Sequence, residues 1–112
     1  MYRFCSITLT VLGGALLLSA GPALAQTEAG IKVYAAQKCS ICHSIAGQGN
    51  KKLPLDKVGA KLSADQIREW IVAPADAATK AKSTAKPAMK AYPNLPKADL
   101  DALVGYMKSL AK

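Results

Sequence analysis

Apolar residues recur at helical spacing in three stretches of the chain, and no stretch alternates apolar and polar positions as a strand does. The first stretch predicts a helix from Ala29 to about Lys38. Its apolar positions are Ile31, Tyr34 and Ala35. The last stretch predicts a helix that begins near Pro96. Its apolar stripe is formed by Leu100, Leu103, Val104 and Met107. The pattern as a whole predicts an all-α fold.

The middle stretch carries its own start and stop signals. Residues 63–66 (Ser-Ala-Asp-Gln) have the pattern of a helix capping box. The apolar face that follows is formed by Ile67, Trp70 and Ile71. Pro74 is expected to end this helix. Residues 75–91 are rich in Ala and Lys, so a helix is possible at first, but Pro87 interrupts it. Segment 47–52 is predicted as a loop from its Gly and Asn content.

The first 25 residues have the pattern of a secretory signal peptide. Arg3 is followed by an apolar run over residues 7–18 and by a small-residue cleavage site at residues 23–25. A retained membrane anchor is the alternative, but the run is shorter than the roughly 18 residues that a spanning helix needs. We therefore expect cleavage after Ala25, a periplasmic location and a mature domain over residues 26–112.

Composition limits what the mature domain can be. Its 87 residues include 41 apolar ones, of which 17 are Ala, so only 24 larger apolar residues remain for a core. A core this thin is marginal by itself, and we expect a cofactor to complete it. A Rossmann or barrel enzyme does not fit in this length, and the chain has no Gly-rich phosphate-binding motif. A single histidine, His43, leaves little for acid–base chemistry.

The motif Cys39-x-x-Cys42-His43 carries the chemistry. In an exported protein it is the attachment signature of c-type haem, in which the two thiols add to the haem vinyl groups and the adjacent histidine binds the iron. Three alternatives compete. A zinc site lacks further Cys or His ligands, a thioredoxin-type pair lacks its βαβ setting, and a disulfide leaves His43 without a role.

The distal iron ligand must come from another part of the chain. No second histidine exists, so the sulfur candidates in the mature chain are Met89 and Met107. Met107 lies on the apolar stripe of the last predicted helix, where methionine usually fills a core. Met89 lies in a non-periodic stretch between Pro87 and Pro93. An apolar side chain in a polar loop favours iron ligation, and the alternative is an apolar anchor for the loop.

Together these motifs resemble a class I c-type cytochrome of the small bacterial type. The resemblance covers residues 29–111. It rests on Gly30 and Tyr34 before the cysteine motif, Pro54-Leu55 after it, Trp70-Ile71-x-x-Pro74, Pro87-Ala88-Met89 and Leu103-x-x-Tyr106. The family fold it implies has three to five short helices around one covalent haem.

The resemblance implies a role for each matched residue. Cys39 and Cys42 would attach the haem, with His43 as proximal and Met89 as distal ligand. The Pro54 carbonyl would accept a hydrogen bond from His43 Nδ1. Trp70 would lie against the haem or near Met89. Gly30 and Tyr34 would pack on Leu103 and Tyr106. One residue is inserted between Tyr34 and Cys39 relative to the family, so either the first helix ends in a bulge or Ile31 and Ala35 take the crossing.

Function and partners follow from this resemblance and from the charge. The implied function is a soluble one-electron carrier and not an enzyme; the alternatives are a haem subunit of a larger oxidoreductase and a ligand-binding or sensor domain with a labile Met89.

Loss of Arg3 lowers the net charge from +8 to +7. We expect acidic redox partners such as an oxidase, a quinol-side complex or a dehydrogenase, with simple solubility as the alternative reason for the charge. We expect a monomer that binds no nucleic acid and meets membranes only through partner complexes. The expected docking lysines are Lys80, Lys82, Lys86 and Lys90.

Overall fold

The computed structural model describes residues 21–111. Most of the predicted signal peptide, residues 1–20, lies outside the described residues. The regular elements within the described part are α1 (Pro22–Ala36), a 3₁₀ turn (Cys39–Ile41), β1 (Ser44–Ile45), β2 (Gln48–Gly49), α2 (Val58–Lys61), α3 (Ala64–Val72), α4 (Pro74–Ala81) and α5 (Lys97–Ser109). The all-α prediction is confirmed, because the strands form only a two-residue antiparallel hairpin within residues 21–111.

The boundaries predicted for the first helix were wrong. α1 begins at Pro22 and ends at Ala36, because proline is tolerated at the first helical position and the residues after it include good helix formers such as Ala, Leu and Gln. The prediction used only the apolar face, which begins later. α1 runs through the predicted cleavage site at residues 23–25, and a cleavage there would leave the helix from Gln26 onwards. The cleavage itself stays a prediction.

α1 crosses α5 where Gly30 and Tyr34 stand. A Cβ on Gly30 would lie 2.3 Å from the Ala102 carbonyl oxygen and 2.5 Å from the Tyr106 Cβ, so only glycine permits this approach. The rings of Tyr34 and Tyr106 meet edge to face with centroids 5.9 Å apart. The inserted residue is absorbed after α1, where Lys38 takes a left-handed conformation with φ 56°, so the crossing predicted for Gly30 and Tyr34 is confirmed.

The start of α3 has the predicted capping box. The Gln66 N–H donates to Ser63 Oγ at 3.2 Å, and the Ser63 N–H donates to Gln66 Oε1 at 2.9 Å. α3 ends at Val72, as Pro74 predicted, and Pro74 itself begins α4. α4 ends at Ala81, and Lys82 directly after it takes a left-handed conformation with φ 52°. Residues 83–96 contain no helix or strand. The prediction of a helix at the start of residues 75–91 that does not continue through Pro87 is confirmed.

The core is small and lies between three helices. One buried cluster joins α1, α3 and α5, and its members are Val33, Ile67, Ile71, Leu103, Val104 and Met107. Leu100, predicted on the same stripe, is only half-buried. Larger apolar residues around this cluster remain partly exposed, which agrees with the thin core expected from composition.

α2 was not predicted, and it packs on the end of α5. The Gly59 N–H donates to the Leu110 carbonyl at 2.8 Å, and Lys108 Nζ donates to the Gly59 carbonyl at 2.8 Å. A Cβ on Gly59 would lie 2.2 Å from the Lys108 carbonyl oxygen. Four residues are too few for periodicity to predict a helix from an isolated window, although this one positions a wall of the site described next.

Candidate functional site

The cysteine motif forms a tight turn directly after α1. The N–H groups of Cys42 and His43 both donate to the Cys39 carbonyl, at 3.1 and 3.0 Å. This turn contains both thiols and the imidazole of the motif. Cys39 is half-buried, Cys42 is exposed, and neither forms a disulfide. Burial raises the pKa of the Cys39 thiol. Both sulfurs are therefore free to bond to another group.

A loop folds back over this turn and holds it. The Asn50 backbone N–H donates to the carbonyls of Ser40 and His43, both at 3.0 Å, and Asn50 Nδ2 donates to the Ile41 carbonyl at 3.1 Å. Gly49 has φ 102°, and a Cβ there would lie 2.3 Å from the His43 carbonyl oxygen. Glycine is required at this position both for its conformation and for the close approach. The loop prediction for residues 47–52 missed β2, because a two-residue strand is too short to show alternation.

His43 is oriented by a carbonyl one residue away from the one predicted. Its Nδ1 lies 3.0 Å from the carbonyl oxygen of Leu53, so the prediction that Pro54 supplies this carbonyl was wrong. Ser44 pairs with Pro54 in a parallel bridge, which aligns the preceding residues, His43 and Leu53. A carbonyl only accepts, so Nδ1 donates and Nε2 keeps its lone pair. An imidazole held in this way is prepared to bind a metal through Nε2.

Pro54 and Trp70, both predicted at the site, line one cavity of about 260 Å³. Its apolar wall also includes residues that sequence reasoning missed, and two lysines, Lys57 and Lys61, stand at it. The missed apolar residues are Val58, Leu62 and Ala81, whereas Leu55 belongs to the motif that carries the resemblance. Leu55, Val58 and Leu62 fall at i, i+3 and i+7, which is the spacing of one helix face, but three positions are too few to predict a helix by themselves.

The two candidate methionines occupy different environments. Met107 is 5% exposed in the core cluster on α5, as its place on the apolar stripe predicted. Met89 is half-buried within the irregular segment 83–96, with exposed neighbours Ala88 and Lys90. Met89 does not line the cavity shared by Pro54 and Trp70. Its role as an iron ligand stays a prediction.

Two tyrosines lie close to the cysteine motif. The Tyr34 hydroxyl is buried without a hydrogen-bond partner in the described part of the chain. Burial, followed by the charge of Cys39, raises the pKa of Tyr34 to about 12. The Tyr92 hydroxyl donates to the Gln37 carbonyl at 3.3 Å. Burial raises the pKa of Tyr92 as well, with smaller contributions from the charges of Cys39 and Cys42.

The four predicted docking lysines are all exposed, but two of them have partners. Lys80 forms an ion pair with Glu69, and the hydrogen bond that its ammonium donates to this carboxylate raises the pKa of Lys80. The Lys90 ammonium lies 5.5 Å from the centroid of the Tyr92 ring.

These residues fit a covalently attached haem. Two free thiols three residues apart offer thioether attachment, and a histidine oriented through Nδ1 offers Nε2 as an iron ligand. Pro54, which directly follows the carbonyl that holds His43, belongs to the lining of a largely apolar cavity. A zinc site fits less well, because residues 21–111 contain no group of three or more His, Cys, Asp or Glu residues able to hold a metal ion. The family model of cytochrome c matches residues 27–111. The chain belongs to the cytochrome c family.

Membership of the cytochrome c family defines the cofactor and the general activity. The cofactor is one haem c, attached through Cys39 and Cys42, and the cytochrome is a haem-based electron carrier. Haem iron supplies the one-electron change of oxidation state on which such a carrier depends. Comparisons with curated proteins and with solved structures give no match. Among the described residues, no helix has the length and apolar character needed to cross a membrane.

Proposed function

We propose that this cytochrome c is a periplasmic one-electron carrier whose iron is held by His43 and Met89, and that it is not an enzyme. The observation that carries the proposal is the contrast between the two methionines. Met107 is fixed in the core of α5, whereas Met89 is half-buried in a segment without regular structure. A methionine in such a segment is able to approach the iron, and a core methionine is not.

Axial ligation by histidine and methionine accounts for the proposed activity. His43 and Met89 would hold the iron, which would then offer no open position to a substrate and would exchange one electron with little rearrangement. A methionine ligand also raises the reduction potential relative to a second histidine. The bond from His43 Nδ1 to the Leu53 carbonyl fixes the orientation of the proximal imidazole. No residue of the chain has to transfer a proton.

We further propose that acidic redox proteins dock on a lysine face, defined as Lys80, Lys82, Lys86 and Lys90. All four are exposed; Lys80 lies on α4, Lys82 directly follows it, and Lys86 and Lys90 lie on the segment that carries Met89. The chain retains a net charge of about +7 after loss of Arg3, and the haem propionates offset at most about two charges. A positive face steers an acidic partner and raises the association rate without slowing release. Lys80 pairs with Glu69 and Lys90 lies over the Tyr92 ring, whereas Lys82 and Lys86 have no such partner within residues 21–111.

The experiment that tests the ligation compares two variants of the exported holoprotein. We expect Met89→Ala to abolish the weak sulfur-to-iron band at the red end of the oxidised spectrum, to lower the midpoint potential and to open the reduced iron to carbon monoxide. Met107→Leu conserves volume at a core position, so it should cost less than about 1.5 kcal/mol and leave the spectrum unchanged. The proposal fails if the two variants exchange these behaviours.

A further inference from the structure

The segment that carries Met89 depends on contacts with other elements for its position. Segment 83–96 joins α4 to α5 and most of its side chains are exposed. Tyr92 is half-buried and stands three residues after Met89. Its backbone N–H donates to the Ile71 carbonyl of α3 at 2.9 Å, and its hydroxyl donates to the Gln37 carbonyl at 3.3 Å. Tyr92 thus joins the segment to α3 and to the end of α1.

The acceptor of the Tyr92 hydroxyl lies beside the haem attachment. Gln37 directly follows α1, where the last carbonyls of a helix lack partners within it, so the tyrosine satisfies one of them. Gln37 also stands two residues before Cys39. The bond therefore links the Met89 segment to the stretch of chain that holds the first thioether. The Lys90 ammonium over the Tyr92 ring adds a second, weaker restraint on the same side chain.

We propose that Tyr92 is a positioning residue that keeps Met89 on the haem iron through its hydroxyl bond to the Gln37 carbonyl. This inference rests on the proposed ligation by Met89. A segment without regular structure opens locally at low cost, so the loss of one of its few bonds to the rest of the fold changes how often Met89 leaves the iron. Loss of one such neutral hydrogen bond should increase the open fraction about 2- to 10-fold.

The test compares Tyr92→Phe with Tyr34→Phe in the exported holoprotein. Each variant removes one hydroxyl and keeps the ring, but only the Tyr92 hydroxyl has a partner in the described part of the chain. Imidazole titrated into the oxidised protein competes with Met89, and its apparent Kd falls in proportion to the rise in the open fraction. We expect Tyr92→Phe to lower the Kd for imidazole about 2- to 10-fold. Tyr34→Phe should leave it at the wild-type value, and the denaturation midpoint of each variant is measured alongside.

The outcomes separate this inference from the ligation beneath it. Equal Kd values for wild type and Tyr92→Phe, in a protein that shows the sulfur-to-iron band, overturn the role of Tyr92 and leave Met89 as ligand. A wild-type protein that lacks the band and binds imidazole as Met89→Ala does overturns both. A fall in Kd that is as large in Tyr34→Phe also overturns the inference, because it reflects a general loss of stability.

Discussion

The chain from Cys39 to Leu55 and the chain from residue 83 to residue 96 carry the two proposed iron ligands, but they hold them by different means. The first is a tight turn bonded to a returning loop through Asn50, with the imidazole anchored on the Leu53 carbonyl. The second has no regular structure, and Tyr92 joins it to α1 and α3 by one backbone bond and one side-chain bond.

The protein therefore holds the two proposed ligands with different firmness. The proximal histidine is oriented by hydrogen bonds to the backbone of a tight turn and its returning loop. The distal segment is mostly exposed and lightly bonded, which places it among the regions of low local stability. Iron ligation by Met89 would then order the segment, and changes in the two regions should have distinguishable effects on stability and on ligand exchange.

Removal of the haem attachment should have the largest effect, because both regions would lose the haem that their proposed ligands bind. We expect Cys39→Ala combined with Cys42→Ala to yield no covalent haem and little folded protein. The core cluster is small, so cofactor binding contributes much of the folding free energy, as it does in small metal domains. Covalent haem staining and thermal unfolding measure this. A double variant that unfolds cooperatively without haem would contradict the thin-core argument.

A change in the proximal loop should destabilise the fold while leaving the distal ligand in place. Gly49→Ala combines a left-handed φ of 102° with a Cβ only 2.3 Å from the His43 carbonyl oxygen. We expect a loss of about 1–3 kcal/mol in the free energy of unfolding, measured by denaturant titration, with the sulfur-to-iron band retained.

Two controls sharpen this prediction. Gly47→Ala has a φ of 78° but open space around the new Cβ, so it should cost less than Gly49→Ala. Ala88→Gly lies in the exposed distal segment and should change stability by less than about 0.5 kcal/mol. A cost at Ala88 equal to that at Gly49 would remove the contrast between the two regions.

The lysine face should affect rates more than stability. Replacing Lys80, Lys82, Lys86 and Lys90 with Gln should slow bimolecular electron transfer to an acidic partner at low salt and flatten its salt dependence. The Debye length falls from about 30 Å at 0.01 M to about 8 Å at physiological ionic strength, so the wild-type rate should fall steeply over that range.

The matched control for the lysine face replaces charges near the proximal turn. The control lysines are Lys51, Lys52 and Lys57, which are all exposed. Their replacement with Gln should slow transfer less, and the midpoint potential should move little in either variant because solvent screens exposed charges. A larger effect from the control set would place the docking face on the proximal side.

The smallest expected effect lies outside both ligand regions, in the ion pairs of Asp101 on α5, one of which joins α5 to α3. Asp101 contacts Lys97 at 2.6 Å and Arg68 at 2.9 Å, and hydrogen bonds from Lys97 and then Arg68 lower the pKa of its carboxyl. A lowered pKa in the folded state stabilises the fold above the ordinary value of 3.8, and this contribution is lost as pH falls through the folded pKa. Asp101→Asn should therefore be slightly less stable than wild type at pH 7. The difference between their free energies of unfolding should become smaller in acid, where the wild-type carboxyl is protonated. A difference that is equal at pH 7 and in acid would contradict this.

Much of this molecule follows from local sequence rules, and the parts that do not follow depend on contacts between distant segments. Cap and stop signals determined α3, and the apolar stripe identified Met107 as a core residue. α2 and the hairpin were missed because their positions depend on the end of α5 and on Asn50, not on periodicity. The error between Pro54 and Leu53 arose because the register of a backbone bridge decides which carbonyl meets His43. Local patterns do not specify that register.

We propose that His43 and Met89 both bind the iron and leave it no open position. Mixing the reduced wild-type holoprotein with carbon monoxide tests this ligation most directly. Carbon monoxide binds reduced haem iron only where a position is open or easily vacated. We expect no spectral change on mixing at neutral pH, and prompt formation of a complex in Met89→Ala. Prompt binding to the wild-type protein would contradict ligation by Met89 and would indicate a ligand-binding haem domain.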